Sequence, residues 1–200
     1  MTLTSEPGPP TSTTTTLRPR RADARRNRER VIQAAAEIFA AKGLEAVIPE
    51  IARRAGVGKA TVYRSFPSKE HLVAAVATER LEWITTLATD ALSDPDPGAA
   101  FERVIMAIAE RQSGDCAVAG SLAADIHLPE LDEARMASHL AIGALIDRGR
   151  DAGALRDDAT AADVRILITG VAHVLRETRE RDPAVWRRFG EMIVDALRRR

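Results

Sequence analysis

The part of this chain that most constrains its fold is residues 47–70, with the sequence VIPEIARRAGVGKATVYRSFPSKE. It contains two short stretches with apolar residues at helical spacing, joined by a turn at Gly56. A residue without a Cβ adopts the left-handed backbone of such a turn at little cost. Val62 and Phe66, four residues apart, give the second stretch one inward face. The pattern predicts a helix-turn-helix, a motif whose second helix enters the major groove of DNA.

The flanking residues predict two more helices and a tail. A first helix over Ala24–Lys42 has apolar residues at helical spacing and ends before Gly43. Ser68 is a suitable N-cap for a longer helix that runs to about Leu92. Residues 1–22 are rich in Thr, Pro and Arg and lack apolar periodicity, so we expect a disordered tail.

The net charge of zero is unevenly distributed along the chain. Residues 18–70 contain 13 Lys and Arg against 6 Asp and Glu, whereas residues 71–200 contain 16 against 22. A basic N-terminal module on an acidic body orients a molecule toward a polyanion such as DNA. Arg18, Arg20 and Arg21 either form an arm that enters a minor groove or make no specific contact.

An ordered set of positions in this region resembles the tetracycline-repressor (TetR) family of bacterial transcription regulators. The set consists of Ala35, Phe39, Gly43-Leu44, Ile51-Ala52, Ala55-Gly56-Val57, Thr61-Val62-Tyr63, Phe66-Pro67 and Ser68-Lys69-Glu70. Two positions depart from the family pattern, because Val47 and Gly58 stand where a capping Thr or Ser is common. Loss of a side-chain cap weakens a helix start by about 1 kcal/mol, and by less with glycine.

The second helix of the motif divides into two predicted roles. Residues near the N-terminal end of a recognition helix reach base edges. The residues predicted to read bases are Lys59, Ala60 and Arg64. The resemblance implies phosphate contacts by neighbouring residues, with a packing role for the tyrosine and a solvated surface position for the lysine as alternatives. The residues predicted to contact phosphates are Thr61, Tyr63, Lys69 and, as a residue that suits either role, Ser65.

The remainder of the chain predicts a body that is helical throughout, with helices separated by Gly and Pro. These helices are expected near residues 99–112, 116–126, 130–151, 160–179 and 183–199. The predicted fold class is therefore all-α, with a three-helix DNA-binding head over 23–70 and a ligand-binding and dimerisation domain over 71–200. The helix that begins after Ser68 is expected to bridge the two.

The resemblance implies that the last two helices, Ala162–Arg176 and Val185–Leu197, pair with those of a second subunit as a four-helix interface. The alternative is that both apolar stripes face their own core. The residues expected at the interface are Leu167, Gly170, Val174, Val185, Trp186, Phe189, Met192, Ile193 and Leu197.

The resemblance also implies a small-molecule pocket among the middle helices, whose occupation releases the DNA. The expected lining is mostly aliphatic, which favours an apolar or acyl-type ligand, although each residue could be ordinary core. It consists of Phe101, Ile105, Met106, Leu122, Ile126, Met136, Leu140, Leu167 and Val171. The polar candidates are His127, His139 and His173.

The composition narrows the function classes. One cysteine, Cys116, and the lack of a secretory signal or a long apolar run predict a cytoplasmic protein. No metal-ligand spacing, phosphate loop or nucleophile elbow occurs, so we expect neither a cofactor, a metal nor an enzyme. We expect a homodimeric repressor that is released from a palindromic operator by a small-molecule effector. The alternatives are an activator or effector-less regulator and, more distantly, a small helical enzyme.

Overall fold

The computed structural model describes residues 17–112, 123, 125–178 and 180–199, with side chains from Ala22 onward except that of Leu44. Within these ranges the chain forms eight α-helices and no β-strand, so the predicted all-α class is confirmed. The helices are α1 (Leu17–Lys42), α2 (Ile48–Ala55), α3 (Lys59–Ser65), α4 (Lys69–Ala91), α5 (Pro97–Gln112), α6 (Pro129–Asp151), α7 (Ala161–Glu177) and α8 (Pro183–Leu197).

Helix α1 is longer than predicted, because it begins at Leu17 and not at Ala24. The backbone of Arg18, Arg20 and Arg21 is therefore helical and does not form an extended arm. Arginine and alanine are good helix formers, so a segment without apolar periodicity can extend a helix whose later turns are buried. The rest of the predicted tail, residues 1–16, lies outside the described residues.

The head is built from α1, α2, α3 and the first half of α4, which surround one apolar cluster. Its most deeply buried side chains include Phe39, Ile51, Val62 and Leu72. Full burial of a side chain of this size is worth about 1.5–3 kcal/mol. The cluster stabilises α2 and α3, which have eight and seven residues and are too short to persist as isolated helices.

Helix α4 connects the head to the body, as predicted. Leu72, Val73 and Val76 in its first half belong to the head cluster, whereas Ala88 in its second half is buried in the body core. A single helix of 23 residues therefore belongs to both cores.

The body core lies between α4, α5, α6, α7 and α8. Its centre contains Phe101, Ile105, Leu145 and Ile146, all 1% exposed or less. The segment after α6 is tied to the end of α8, because the N–H of Arg156 donates to the carbonyl of Leu197 at 2.9 Å.

The predicted body helices agree with the observed ones except for the segment 116–126. Most of that segment lies outside the described residues, and Asp125 and Ile126 at its end are not helical. Among the described helices, none combines the length and apolarity needed to cross a membrane.

Candidate nucleic-acid interface and body cavity

The turn between α2 and α3 depends on Gly56, whose φ of 66° and ψ of 37° lie in the left-handed region. The N–H of Gly56 donates to the carbonyl of Arg53 at 3.2 Å. The N–H of Val57 donates to the carbonyl of Ala52 at 3.0 Å, and these two hydrogen bonds close the end of α2. A Cβ at Gly56 would lie 2.6 Å from the guanidinium of Arg30. The predicted glycine turn is confirmed.

Helix α3 has one buried face and one exposed face. Val62 is fully buried, and Phe66 at the C-terminal end of the helix is 2% exposed. The predicted base-reading residues Lys59, Ala60 and Arg64 are all exposed to solvent. Two cations and a methyl group on a helix held by two apolar side chains can match the donors, acceptors and methyl groups of base edges. The structure thus brings the three residues together on one helix, and their contact with DNA remains a prediction.

The residues predicted to contact phosphates lie on or next to α3. Tyr63 is 51% exposed, which argues against a role in packing alone. Ser65 is exposed, and Thr61 and Lys69 are half-buried. The Oγ of Ser68 accepts a hydrogen bond from the N–H of His71 at 3.3 Å, so the predicted cap of α4 is confirmed.

The two short helices of the motif begin without side-chain caps. Val47 precedes α2 in an extended conformation, and Gly58 precedes α3 in the same way. Neither residue provides a side-chain hydrogen bond to the first turn. These two departures from the family pattern leave amide groups at both helix starts without the usual side-chain acceptor.

Ion pairs on the surface link α1 to α2. The Nε of Arg54 donates to the carboxylate of Glu37 at 2.6 Å, and the Nζ of Lys42 donates to Glu50 at 2.6 Å. Sequence reasoning did not find these contacts, because the partners are 17 and 8 residues apart. Exposed pairs contribute about 0–1 kcal/mol each, so they orient the motif more than they stabilise it.

A cavity of about 700 Å³ lies between α4, α5, α6 and α7. Small-molecule sites occupy about 300–1,000 Å³. Most of its walls are aliphatic, and they include Ala77, Leu81, Ile84, Ile108, Ala123, Leu131, Met136, Ile142, Ala161, Val164, Ile168 and Ala172. Its polar and charged lining consists of Arg80, Gln112, Asp132, Arg135, Ser138, His139, Arg165, Thr169 and Arg176.

Of the predicted pocket residues, Met136 lines this cavity, and Leu122 lies outside the described residues. Phe101 and Ile105 are at the centre of the body core, so the prediction that they line a pocket is wrong for this cavity. Leu140 is 63% exposed and does not line it either.

The other four predicted pocket residues also contact something else. The Sδ of Met106 packs against Gly190, 3.0 Å from the place a Cβ would take. Ile126 packs against the head cluster, whereas Leu167 and Val171 pack against the body core. The prediction failed because apolar periodicity shows that a side chain is buried but does not show what it is buried against.

The cavity residues that sequence reasoning missed include most of its aliphatic wall and all of its charged side chains. On α7, Ala161, Arg165, Ile168, Ala172 and Arg176 recur at spacings of three and four, and all line the cavity. The available signal was this stripe, which is apolar in the middle and has an arginine toward each end. Burial lowers the pKa of the Arg176 guanidinium below its ordinary value.

The three histidine candidates are separated by the fold. His139 lines the cavity, whereas His127 and His173 are exposed next to the carboxylates of Asp132 and Glu177. Within the described ranges, no group of three or more His, Cys, Asp or Glu is arranged to hold a metal ion.

The predicted dimer residues fall into a buried group and an accessible group. Trp186, Ile193 and Leu197 are buried within their own subunit, so their assignment to the interface is wrong. The apolar stripe on α8 is wide enough for one side of it to face the core of the same subunit. Half-buried or exposed are Leu167, Gly170, Val174, Val185, Phe189 and Met192. Ile166, which was not predicted, is exposed on the same face of α7 as Gly170 and Val174.

Two family models match the chain. Residues 31–76 match the model of bacterial regulatory proteins of the tetR family. Residues 96–199 match the model of the C-terminal domain of SbtR-like transcriptional regulators. The first match covers the head without the start of α1, and the second covers the body from α5 onward.

Solved structures with the same fold cover nearly the whole chain. A TetR transcription regulatory protein from Mycobacterium vanbaalenii is 34% identical, covers 90% of this chain and 99% of its own, and superimposes with a TM-score of 0.62. A TetR transcriptional regulator from Streptomyces coelicolor is 25% identical, covers 86% and 98%, and has a TM-score of 0.64.

A curated relative, an uncharacterised HTH-type transcriptional regulator of Mycobacterium bovis, is 36% identical over 87 residues. These residues are 43% of this chain and 44% of the relative. The chain thus spans less than half the length of the curated relatives it matches.

Proposed function

The chain belongs to the TetR family of bacterial transcriptional regulators, and from this premise we propose that it is a homodimeric repressor, released from an inverted-repeat operator by a small molecule. The observation that carries the proposal is the exposed face of α3. Val62 and Phe66 hold the helix against the head core. Lys59, Ala60 and Arg64 are exposed on it. We propose that the protein acts in the cytoplasm, where it binds the bacterial chromosome.

The exposed face of α3 reads the bases. The ammonium of Lys59 or the guanidinium of Arg64 donates to O6 and N7 of guanine, and the methyl group of Ala60 lies against a thymine methyl. The three residues span six positions of one helix, and the first and last lie about 7.5 Å apart along its axis. This length matches about two base-pair steps of roughly 3.4 Å each, so each head reads a short half-site.

The residues next to that face position the head on the phosphate backbone. Thr61, Tyr63 and Ser65 supply hydroxyl donors, and Lys69 supplies an ammonium. Helix α4 begins at Lys69, four residues after the end of α3. Its first amide groups and the positive end of its dipole favour a phosphate at the same place.

The dimer interface is the accessible apolar face of α7 and α8. Val174 and Met192 are more than half exposed, although apolar side chains of this size are usually buried. A second copy that covers this face produces two heads related by a two-fold axis, as an inverted repeat requires. In Met192→Asp, a charge in this face should give a monomer in analytical ultracentrifugation. Leu140→Asp, at an exposed site on α6, is the matched control and should remain a dimer.

The cavity is the effector site, because it shares walls with the head. Ala77, Ala123 and Leu131 line the cavity and are also buried in the head cluster. A ligand that moves these side chains changes the position of the head relative to the body. Such a ligand releases DNA only if it binds the released arrangement more tightly than the DNA-bound one.

The experiment that tests this proposal is the selection of bound DNA from a random pool by the purified protein, at a stated salt concentration. The expected result is enrichment of an inverted repeat, with half-site centres separated by about one helical turn or a multiple of it. If the folded, dimeric protein enriches no sequence, the proposal is wrong.

A further inference from the structure

The described lining of the cavity contains more basic than acidic side chains. Of its described lining residues, four are arginines and only Asp132 is acidic. Asp132 is used within the fold, because its carboxylate accepts a hydrogen bond from Nη1 of Arg135 at 2.7 Å. Arg135 also donates to the backbone carbonyls of Ile126 and Ala123 at 2.9 and 2.5 Å. The charges of Asp132 and Arg135 therefore compensate each other, and three further arginines line the same cavity.

Two of these three arginines lie on α7, at different depths. Arg165 and Arg176 are eleven residues apart, which is about 16 Å along the helix. Arg165 is exposed, whereas Arg176 is half-buried. Water therefore screens the charge of Arg176 less than that of Arg165. A guanidinium keeps its charge in such surroundings and has five N–H donors, so it can bind a carboxylate in addition to its contacts within the protein.

The wall between the two ends of the stripe is aliphatic. Ile84, Ile142, Val164 and Ile168 are among its side chains, and no Phe, Tyr or Trp belongs to the described lining. A planar aromatic ligand would find no ring to stack on there. A flexible aliphatic chain, in contrast, buries its surface against such a wall and gains about 0.8 kcal/mol for each buried methylene group.

We propose that the cavity binds an aliphatic anion, whose chain lies along the apolar wall and whose charged head pairs with Arg176. The head is a carboxylate or a phosphate, both of which accept two parallel hydrogen bonds from a guanidinium. This inference rests on the proposed function, because it names the chemical class of the effector for the same cavity.

The test compares three ten-carbon probes that differ only in the head: decanoate, decanol and decylammonium. Their binding to the full chain without DNA is measured by isothermal titration calorimetry at pH 7. Decanoate should bind about tenfold more tightly than decanol, because a hydrogen bond to a charged group is worth about that factor, and decylammonium should bind most weakly. Decyl phosphate in place of decanoate distinguishes the two possible heads. Equal affinities for decanoate and decanol would overturn the proposal without the use of any variant.

Two substitutions locate the charged head. Arg176→Gln should remove the preference for decanoate over decanol, and Arg176→Lys, which keeps the charge, should retain most of it. Arg165→Gln is the matched control on the same helix and in the same cavity, and it should leave the preference unchanged. If Arg165→Gln removes the preference and Arg176→Gln does not, the assignment to Arg176 is wrong. Circular dichroism confirms that each variant is folded.

DNA release is measured separately, with a selected DNA site and each probe. Binding of decanoate without release of DNA supports the ligand class and contradicts the proposed release by an effector. Specific DNA binding without any affinity for decanoate or decyl phosphate contradicts the ligand class and leaves the function of the head intact.

Discussion

The head and the body of this protein are both made of helices, but their helices have different numbers of neighbours. In the head, α2 and α3 have eight and seven residues and face a single apolar cluster. In the body, α6 and α7 have 23 and 17 residues, and each borders a core, the cavity and solvent. An apolar stripe on a short helix of the head therefore indicates contact with that single cluster. An apolar stripe on a long helix of the body can face the core, the cavity or solvent, and only the three-dimensional packing shows which.

The largest expected effect tests this difference within the body. Phe101 is 1% exposed in the body core, whereas Leu140 is exposed. Phe101→Ala should lower the free energy of unfolding by about 3–5 kcal/mol, because it leaves a cavity in a packed core. Leu140→Ala should change it by less than about 0.5 kcal/mol. Urea unfolding at constant pH measures both. A small loss of stability in Phe101→Ala would contradict the place of Phe101 in a packed core and would support its predicted place in the lining of a pocket.

The next effect has opposite signs in the two regions. Gly56 in the head has a positive φ, whereas Gly143 in α6 of the body has open space where a Cβ would lie. Gly56→Ala should destabilise the protein by about 1–2 kcal/mol because a Cβ is strained there. Gly143→Ala should stabilise it by about 0.5–1 kcal/mol because a helix interior favours alanine. Thermal unfolding measures the change in stability for both variants. Changes of the same sign in the two variants would contradict the described backbone.

A third prediction concerns the start of α2. Val47 is extended and 53% exposed, and its side chain caps nothing. Val47→Thr should add an acceptor for the first turn and increase the free energy of unfolding by about 1 kcal/mol. Val47→Ala is the control and should not stabilise the protein. If both variants behave alike, a missing side-chain cap does not limit the stability of α2.

The smallest expected effect compares a lysine of the basic head with an arginine of the acidic body in DNA binding. Lys69→Ala should weaken all DNA sequences alike and reduce the slope of log affinity against log salt by about one unit, the value for one phosphate contact. Arg181→Ala, at an exposed site of the body, should leave the slope unchanged. Fluorescence anisotropy at several salt concentrations measures both slopes. An unchanged slope in Lys69→Ala removes this residue from the phosphate contacts.

The parts of the molecule that could be predicted are those that local chemistry determines. Gly56 follows the last residue of a helix, and Val62 and Phe66 have only one core to enter, so the motif could be derived from its sequence. The start of α1 could not, because helix propensity without apolar periodicity carries no clear boundary signal.

A pocket among the middle helices was expected from the resemblance, but most of the residues that line the cavity could not be predicted, because they come from four helices that are distant in sequence. Phe101 and Met136 are equally apolar candidates in the sequence, yet one is in the core and the other borders the cavity. Arg165 and Arg176 could not be assigned to it, because arginine on a helix normally indicates a solvated face. Of the residues predicted for a dimer interface, Val174 and Met192 are exposed and stay predictions, whereas Trp186 is buried in its own subunit.

The exposed face of α3 is proposed to read DNA bases, and the sequence preference of Lys59→Ala and Arg64→Ala tests this role directly. Wild-type protein and both variants are compared on a selected operator and on all its single-base changes. Each substitution should cost about 1–3 kcal/mol and remove the preference at one base position per half-site. A loss of affinity that is equal for every sequence, or no loss at all, would contradict base reading by α3.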